Sequence, residues 1–199
     1  MDDQLLIIDT RVPPRMHGLV ARPRLVEDIE QALEDARIVL LSAPAGYGKT
    51  ALLTEWAHAT ERPVAWLTVE PEQNDAERLL RYLVAAWSVV DPSLLDSPAG
   101  LLLETLEADA DLVARALANH ALVAGTSAVF VLDDLHLIQN PDAASTLMFL
   151  IDHLPADARF VAACRTDIAL PRSRLRVRHR MREIGADRLA FRPEETVLL

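Results

Sequence analysis

The stretch that most constrains this chain is Ile38-Val-Leu-Leu-Ser42 followed by Ala43-Pro-Ala-Gly-Tyr-Gly-Lys-Thr50. A short apolar run suited to a buried strand feeds a loop of small residues that ends in Gly48-Lys49-Thr50. Ala51-Leu-Leu-Thr-Glu-Trp-Ala57 then reads as a helix. Strand, loop and helix in that order are the setting a phosphate-binding loop requires. Glycine lets such a loop turn its backbone N–H groups inward as an anion nest, and the helix N-terminus adds partial positive charge. Residues Pro44 to Ala51 would line the phosphates, Lys49 would reach the β- and γ-phosphates, and the Thr50 hydroxyl would ligate Mg²⁺. Ala43 stands where the eight-residue pattern has its first glycine, while Gly46, Gly48, Lys49 and Thr50 all fit.

The remaining sequence alternates strands and helices. Leu5-Leu-Ile-Ile8 reads as a small strand, and the Pro13-Pro14 segment as an irregular arm over residues 1–17. A helix begins near Pro23, with Leu25, Ile29 and Leu33 at helical spacing. Val64 to Val69 is a second strand, and Ala76 to Val90 an amphipathic helix. A further helix is expected from about Leu101 to Val123, closed by Gly125. Ser127 to Asp134 and Ala158 to Arg165 are two more strands, with a helix opened by Pro141 between them. Arg192-Pro-Glu-Glu195 starts a last helix. This alternation predicts an α/β fold with a mostly parallel sheet covered on both faces, whose ligand sits at the carboxyl ends of the strands.

Three polar features follow strand ends: Gly48-Lys49-Thr50, Asp133-Asp134 and Arg165. Their convergence on one sheet edge is stronger support than any one of them. Val129-Phe-Val-Leu-Asp-Asp134 fits a strand that delivers an acid to Mg²⁺ beside the loop. Asp133 would hold the metal and Asp134 would orient or deprotonate the attacking water. The bland alternative is that the two acids only cap the next turn. Arg165 would contact the γ-phosphate and report its presence, or else be an ordinary surface arginine. Cys164 reads as core, and His136 as a structural neighbour of the acid pair.

Composition narrows the field. The 199 residues carry a net charge of −10, which argues against this segment gripping nucleic acid by itself. The alternating arginines from Arg172 to Arg182 lack interleaved aromatics and read as a solvated helix face or loop that contacts another domain or the acidic remainder of the chain, not as a base-stacking surface. A lone Cys164 fits a reducing, cytoplasmic setting. No apolar run approaches the roughly 20 residues of a membrane span. Met1-Asp-Asp-Gln lacks the basic start of a signal peptide.

Several motifs together resemble the ATPase domain of large ATP-binding LuxR-family transcription regulators, a branch of the STAND class of signalling ATPases. Ala43-Pro-Ala-Gly-Tyr-Gly-Lys-Thr50 and Leu132-Asp-Asp-Leu-His-Leu-Ile138 are similar to that group's Walker A and Walker B motifs. Leu19-Val-Ala-Arg-Pro-Arg-Leu25 resembles its N-terminal motif, which places Val20 and Arg22 near the adenine and ribose. Ala65-Trp-Leu-Thr-Val-Glu70, Arg165 with Leu170-Pro-Arg-Ser-Arg-Leu-Arg176, Glu183-Ile184 and Phe191-Arg-Pro-Glu-Glu195 continue the match. Ala43 is usual in the group, whereas Ala51 replaces a customary second Thr.

The resemblance implies a five-stranded sheet of the additional-strand type, with the Arg165 strand between the loop strand and the Asp133 strand. It also implies a domain over 18–199 that precedes winged-helix, sensor and helix-turn-helix modules. ATP or ADP with Mg²⁺ would bind, and slow hydrolysis would reset an inducer-controlled switch that self-associates and reaches DNA through its C-terminal module. From the residues alone, two other classes stay open: a P-loop enzyme with rapid turnover or a phosphorylated acceptor, and a docking module that keeps the fold without a nucleotide.

Overall fold

The computed structural model describes residues 7–16, 18, 20–104, 109–165 and 168–196. Helix α1 (Pro23–Asp35) starts on its proline and leads to β1 (Ile38–Ser42), the phosphate-loop strand. After the loop come α2 (Lys49–Ala59), β2 (Val64–Thr68) and α3 (Ala76–Ser88). Next are α4 (Pro98–Leu103), α5 (Ala110–Ala124), β3 (Val129–Asp133), α6 (Pro141–His153) and β4 (Arg159–Cys164). The last elements are α7 (Arg172–His179), β5 (Met181–Gly185) and two short helices, α8 (Ala186–Leu189) and α9 (Pro193–Thr196).

The five strands lie in the order β2-β3-β4-β1-β5, and their pairings are all parallel. The additional strand β4 therefore sits between β1 and β3, as the resemblance implies. Register follows the period-2 rule. Ile38, Leu40, Phe130, Leu132, Phe160 and Ala162 face the core shared with α3, α5 and α6. Val39, Leu41, Val129, Val131, Val161 and Ala163 face the core shared with α1 and α2. Both faces are thus buried, which is why these strands read as continuous apolar runs.

Three expectations change. Ile7–Thr10 is a 3₁₀ turn, not a strand, while Leu5 and Leu6 lie outside the described residues. The helix expected over 101–123 is two helices. Ser97 caps α4 at Gly100 N–H with Pro98 in the first turn, and the Asp109 carboxylate caps Asp111 and Leu112 to start α5 anew. The basic run divides into α7 and the fifth strand. Its arginines flank α7 on two sides: Arg172 and Arg176 pair with Glu183, and Arg174 and Arg178 pair with Asp152. Of the two partners left open for these four arginines, another domain or the acidic remainder of the chain, the structure shows the second.

Candidate functional site

The carboxyl ends of β1, β4 and β3 bring Lys49, Arg165 and the two aspartates to one edge. The loop owes its shape to two glycines in the left-handed region, Gly46 at φ 88° and Gly48 at φ 67°, where a side chain would be strained. Gly48 is also the N-cap of α2 and offers no side-chain cap, so the first N–H groups of that helix have no intrahelical partner and open toward the loop side. Ala43 is buried, whereas Pro44, Ala45 and Gly46 are exposed along the rim. Tyr47 is half-buried and packs on the α1–α2 core. Lys49 is buried, and its Nζ donates to the carbonyls of Ala43 at 2.7 Å and Pro44 at 2.9 Å. Burial lowers its pKa, against which the nearby carboxylates, Asp134 first, act in the opposite sense.

Thr50, the second residue of α2, is exposed, and its hydroxyl hydrogen-bonds the Asp133 carboxylate across the gap to β3. Asp133 is only 1% exposed. Burial pushes its pKa up to about 6, despite hydrogen bonds from Thr50 and from the Asp134 N–H at 3.1 Å. A buried carboxylate so incompletely compensated suits a cation, and Thr50 offers that cation a second oxygen. The pair therefore fits Mg²⁺, which takes one or two protein oxygens and completes its octahedron with water and phosphate.

Asp134 differs from its neighbour in every respect that matters. Its backbone is left-handed at φ 56°, a conformation Asp tolerates better than most residues, and its side chain is 41% exposed. The turn thus sends one carboxylate into the sheet and the other into the solvent of the site. His136 Nδ1 faces Asp134 Oδ1 at 3.6 Å, too long for a hydrogen bond, and burial lowers its pKa. Arg165, exposed just after β4, acts electrostatically on both Lys49 and His136, so the three share the same space. The loop after β3 is held from the side by Asn74, whose Oδ1 accepts from the amides of Gln139 at 2.8 Å and Asn140 at 2.7 Å. Nothing in the sequence around Asn74 signals that role.

A groove of about 400 Å³ opens beside α2, lined by Val20, Ala21, Arg22, Val26, Ala51 and Glu55 among others. Val20 and Ala51 both line it. Arg22 touches the groove, but its guanidinium turns behind the loop, to the carbonyls of Tyr47, Gly48 and Leu189. The resemblance implies only that Arg22 lies near the adenine and ribose; its backbone partners at the loop and beyond left no local signal, because they lie 25 to 167 residues away.

The family described as AAA ATPase domain matches residues 18–162. Among curated proteins, the HTH-type transcriptional regulator MalT of Vibrio parahaemolyticus is 34% identical over 187 residues, covering 92% of this chain and 20% of that protein. MalT of Vibrio cholerae is 33% identical over 186 residues and MalT of Klebsiella pneumoniae 31% over 183, with the same coverage. This chain spans about a fifth of the length of these relatives. Among solved structures, a Walker-type ATPase of Pyrococcus abyssi shares the fold with a TM-score of 0.52 at 18% identity, over 80% of this chain and 49% of that one. The phosphate loop, the buried acid at the end of β3, the sheet order and the family match agree: this chain belongs to the AAA ATPase domain family.

Proposed function

We propose that the chain is the nucleotide-dependent switch domain, over 18–199, of a LuxR-type transcription regulator, preceded by an arm over 1–17. The loop from Pro44 to Ala51 cradles the phosphates of ATP or ADP, with Lys49 on the β- and γ-phosphates. Thr50 and Asp133 hold Mg²⁺, Asp134 prepares the attacking water, and Arg165 reads the γ-phosphate. Val20, with Arg22 at the edge of the groove, borders the base and ribose. When bound, the metal supplies charge neutralisation at the phosphates. Hydrolysis is slow and returns the domain to its resting state, so the domain's output is a conformation, not a product.

The observation that carries this reading is the convergence of Lys49, Thr50, Asp133, Asp134 and Arg165 at the ends of three adjacent strands. In a longer cytoplasmic protein of the MalT kind, the partners would be the modules that follow, a small-molecule inducer and further copies of the chain. DNA would be reached only through a C-terminal module. No described helix is long and apolar enough to cross a membrane.

Calorimetry with ATP and ADP in the presence of Mg²⁺ tests the grip. Lys49→Ala removes a buried charge-assisted contact and should weaken binding by roughly 2–5 kcal/mol, enough to abolish a measurable isotherm. Unchanged affinity in this variant would sink the assignment of the loop.

A further inference from the structure

Arg22 is a buried cation, 3% exposed, that spends its hydrogen bonds on backbone carbonyls. Its Nη1 donates to Tyr47 O at 3.2 Å and to Leu189 O at 3.1 Å, and its Nη2 donates to Gly48 O at 2.8 Å. The guanidinium carbon lies 5.0 Å from the centroid of the Phe191 ring. A side chain at Gly48 would meet Arg22 Nη2 at 2.8 Å, so the glycine serves this approach as well as its own positive φ.

The planarity of the peptide bond gives these contacts a consequence. In a trans peptide the C=O of one residue and the N–H of the next point in opposite directions. Holding Tyr47 O and Gly48 O from behind therefore aims the N–H groups of Gly48 and Lys49 forward, into the phosphate concavity. A planar fork with several donors can fix two successive peptide planes at once, which an ammonium cannot do as rigidly. The buried charge also adds to the positive potential behind the nest.

The third arm of the same fork reaches the segment that follows β5. That segment is tied along α1 by the neighbouring arginine. Arg24 grips the Glu195 carboxylate through Nε at 2.8 Å and Nη2 at 3.0 Å, and donates to the carbonyls of Arg188 at 2.8 Å and Ala190 at 2.9 Å. Arg188 in turn binds both oxygens of Asp28 at 2.7 Å. Arg24 has no hydrogen bond to the phosphate loop among the described residues, so the two arginines divide the work. One joins loop to segment, and the other docks the segment.

Resting on the nucleotide-binding reading above, we propose that Arg22 is a positioning residue that aims the loop amides at the phosphates and couples their occupancy to the docking of residues 186–195. Such coupling is reciprocal: whatever docking gives to nucleotide affinity, nucleotide gives back to docking. The segment follows β5, the last strand among the described residues, so the bound phosphate is felt beyond the sheet.

Hydrogen exchange of peptides covering 186–195, with and without MgATP or MgADP, read beside calorimetry on the same samples, tests this. In the unmodified chain, nucleotide should slow exchange in the segment. Arg24→Gln should speed that exchange and weaken nucleotide binding by about 5-fold or more, although it touches no loop atom. Arg22→Lys keeps the charge but loses the fork; it should weaken binding and erase the nucleotide-dependent change in exchange. Nucleotide bound with no change over 186–195, or Arg24→Gln undocking the segment at unaltered affinity, would overturn the coupling while leaving nucleotide binding intact. Absence of binding in the unmodified chain would instead overturn the functional reading itself.

Discussion

At the β1–β5 end of the sheet edge the cations are met by oxygen at short range: Lys49 by the carbonyls of Ala43 and Pro44, Arg22 by those of Tyr47, Gly48 and Leu189, Arg24 by Glu195. At the β2–β3 end, carboxylates crowd together instead. Asp133 is buried, Asp134 stands beside it, and Asp9, Glu70 and Glu72 gather after β2. Burial first, then the neighbouring acids, raise the pKa of Glu70; burial and Glu72 do the same to Asp9. Two buried atoms here, Asp9 Oδ2 and His136 Nδ1, have no hydrogen-bond partner among the described residues. The clamped flank spends its interactions on shape. The acidic flank keeps electrostatic cost in hand, and a cation or a charged ligand relieves it.

The largest effect that separates the flanks should be kinetic. Asp134→Asn removes the exposed carboxylate while leaving the loop, Thr50 and Asp133 untouched. As a general base, a carboxylate contributes about 10²–10⁴-fold, so phosphate release should fall by that order while ATP affinity holds. Steady-state phosphate release beside calorimetry separates the two quantities. Equal turnover in the variant would take Asp134 out of the reaction and leave the acidic flank a purely binding surface.

A smaller effect, of opposite sign for stability and function, is expected at Asp133. Asparagine keeps both neighbours within reach, as acceptor from the Asp134 N–H and partner of the Thr50 hydroxyl, and removes the buried charge. In Mg²⁺-free buffer Asp133→Asn should raise the melting temperature, by about 2–4 °C for each kcal/mol relieved in a domain of this size. The dependence of nucleotide binding on Mg²⁺ should weaken in the same variant. A lower melting temperature would mean that the carboxylate is better compensated than its burial implies. This trade of stability for function is the expected mark of a site.

The two flanks were also unequally legible. Lys49, Thr50, Asp133, Asp134 and Arg165 were visible because each follows a strand whose apolar run can be read locally, and a parallel sheet gathers strand ends without further instruction. The order of the strands is not a local property. β4 is inserted between β1 and β3 by one pairing over more than a hundred residues, to β1, and a nearer one to β3, and only the family resemblance anticipated it. The clamp formed by Arg22 and Arg24 escaped for the same reason: its acceptors are mostly backbone carbonyls near the far end of the chain, and any residue supplies a carbonyl. The break between α4 and α5 escaped differently. Leucine and alanine dominate this part of the sequence with helical propensity, and the two separate starts depend on the Ser97 and Asp109 N-caps, whose side chains serve equally well in ordinary turns.

Protonation gives the finest test of the comparison, because it should move the two flanks in opposite directions. Asp9 and Glu70 have folded-state pKa values above their ordinary 3.8 and 4.5. Across that window the folded chain holds protons that the unfolded chain releases, so acidification favours the folded arrangement there. Glu195 lies on the other side: Arg24 first, then the Arg192 amide, hold its pKa down to about 2 against an ordinary 4.5. Its contribution is complete above about pH 4.5 and drains away as pH falls toward about 2. Hydrogen exchange corrected for the intrinsic pH dependence, followed from about pH 6 to about pH 3.5, should therefore show protection over 186–195 falling while protection over 7–10 and 70–74 holds or rises. Parallel loss in both regions would mean that the acidic flank is not strained by its own charge, and the contrast between a clamped and a strained flank would have to rest on geometry alone.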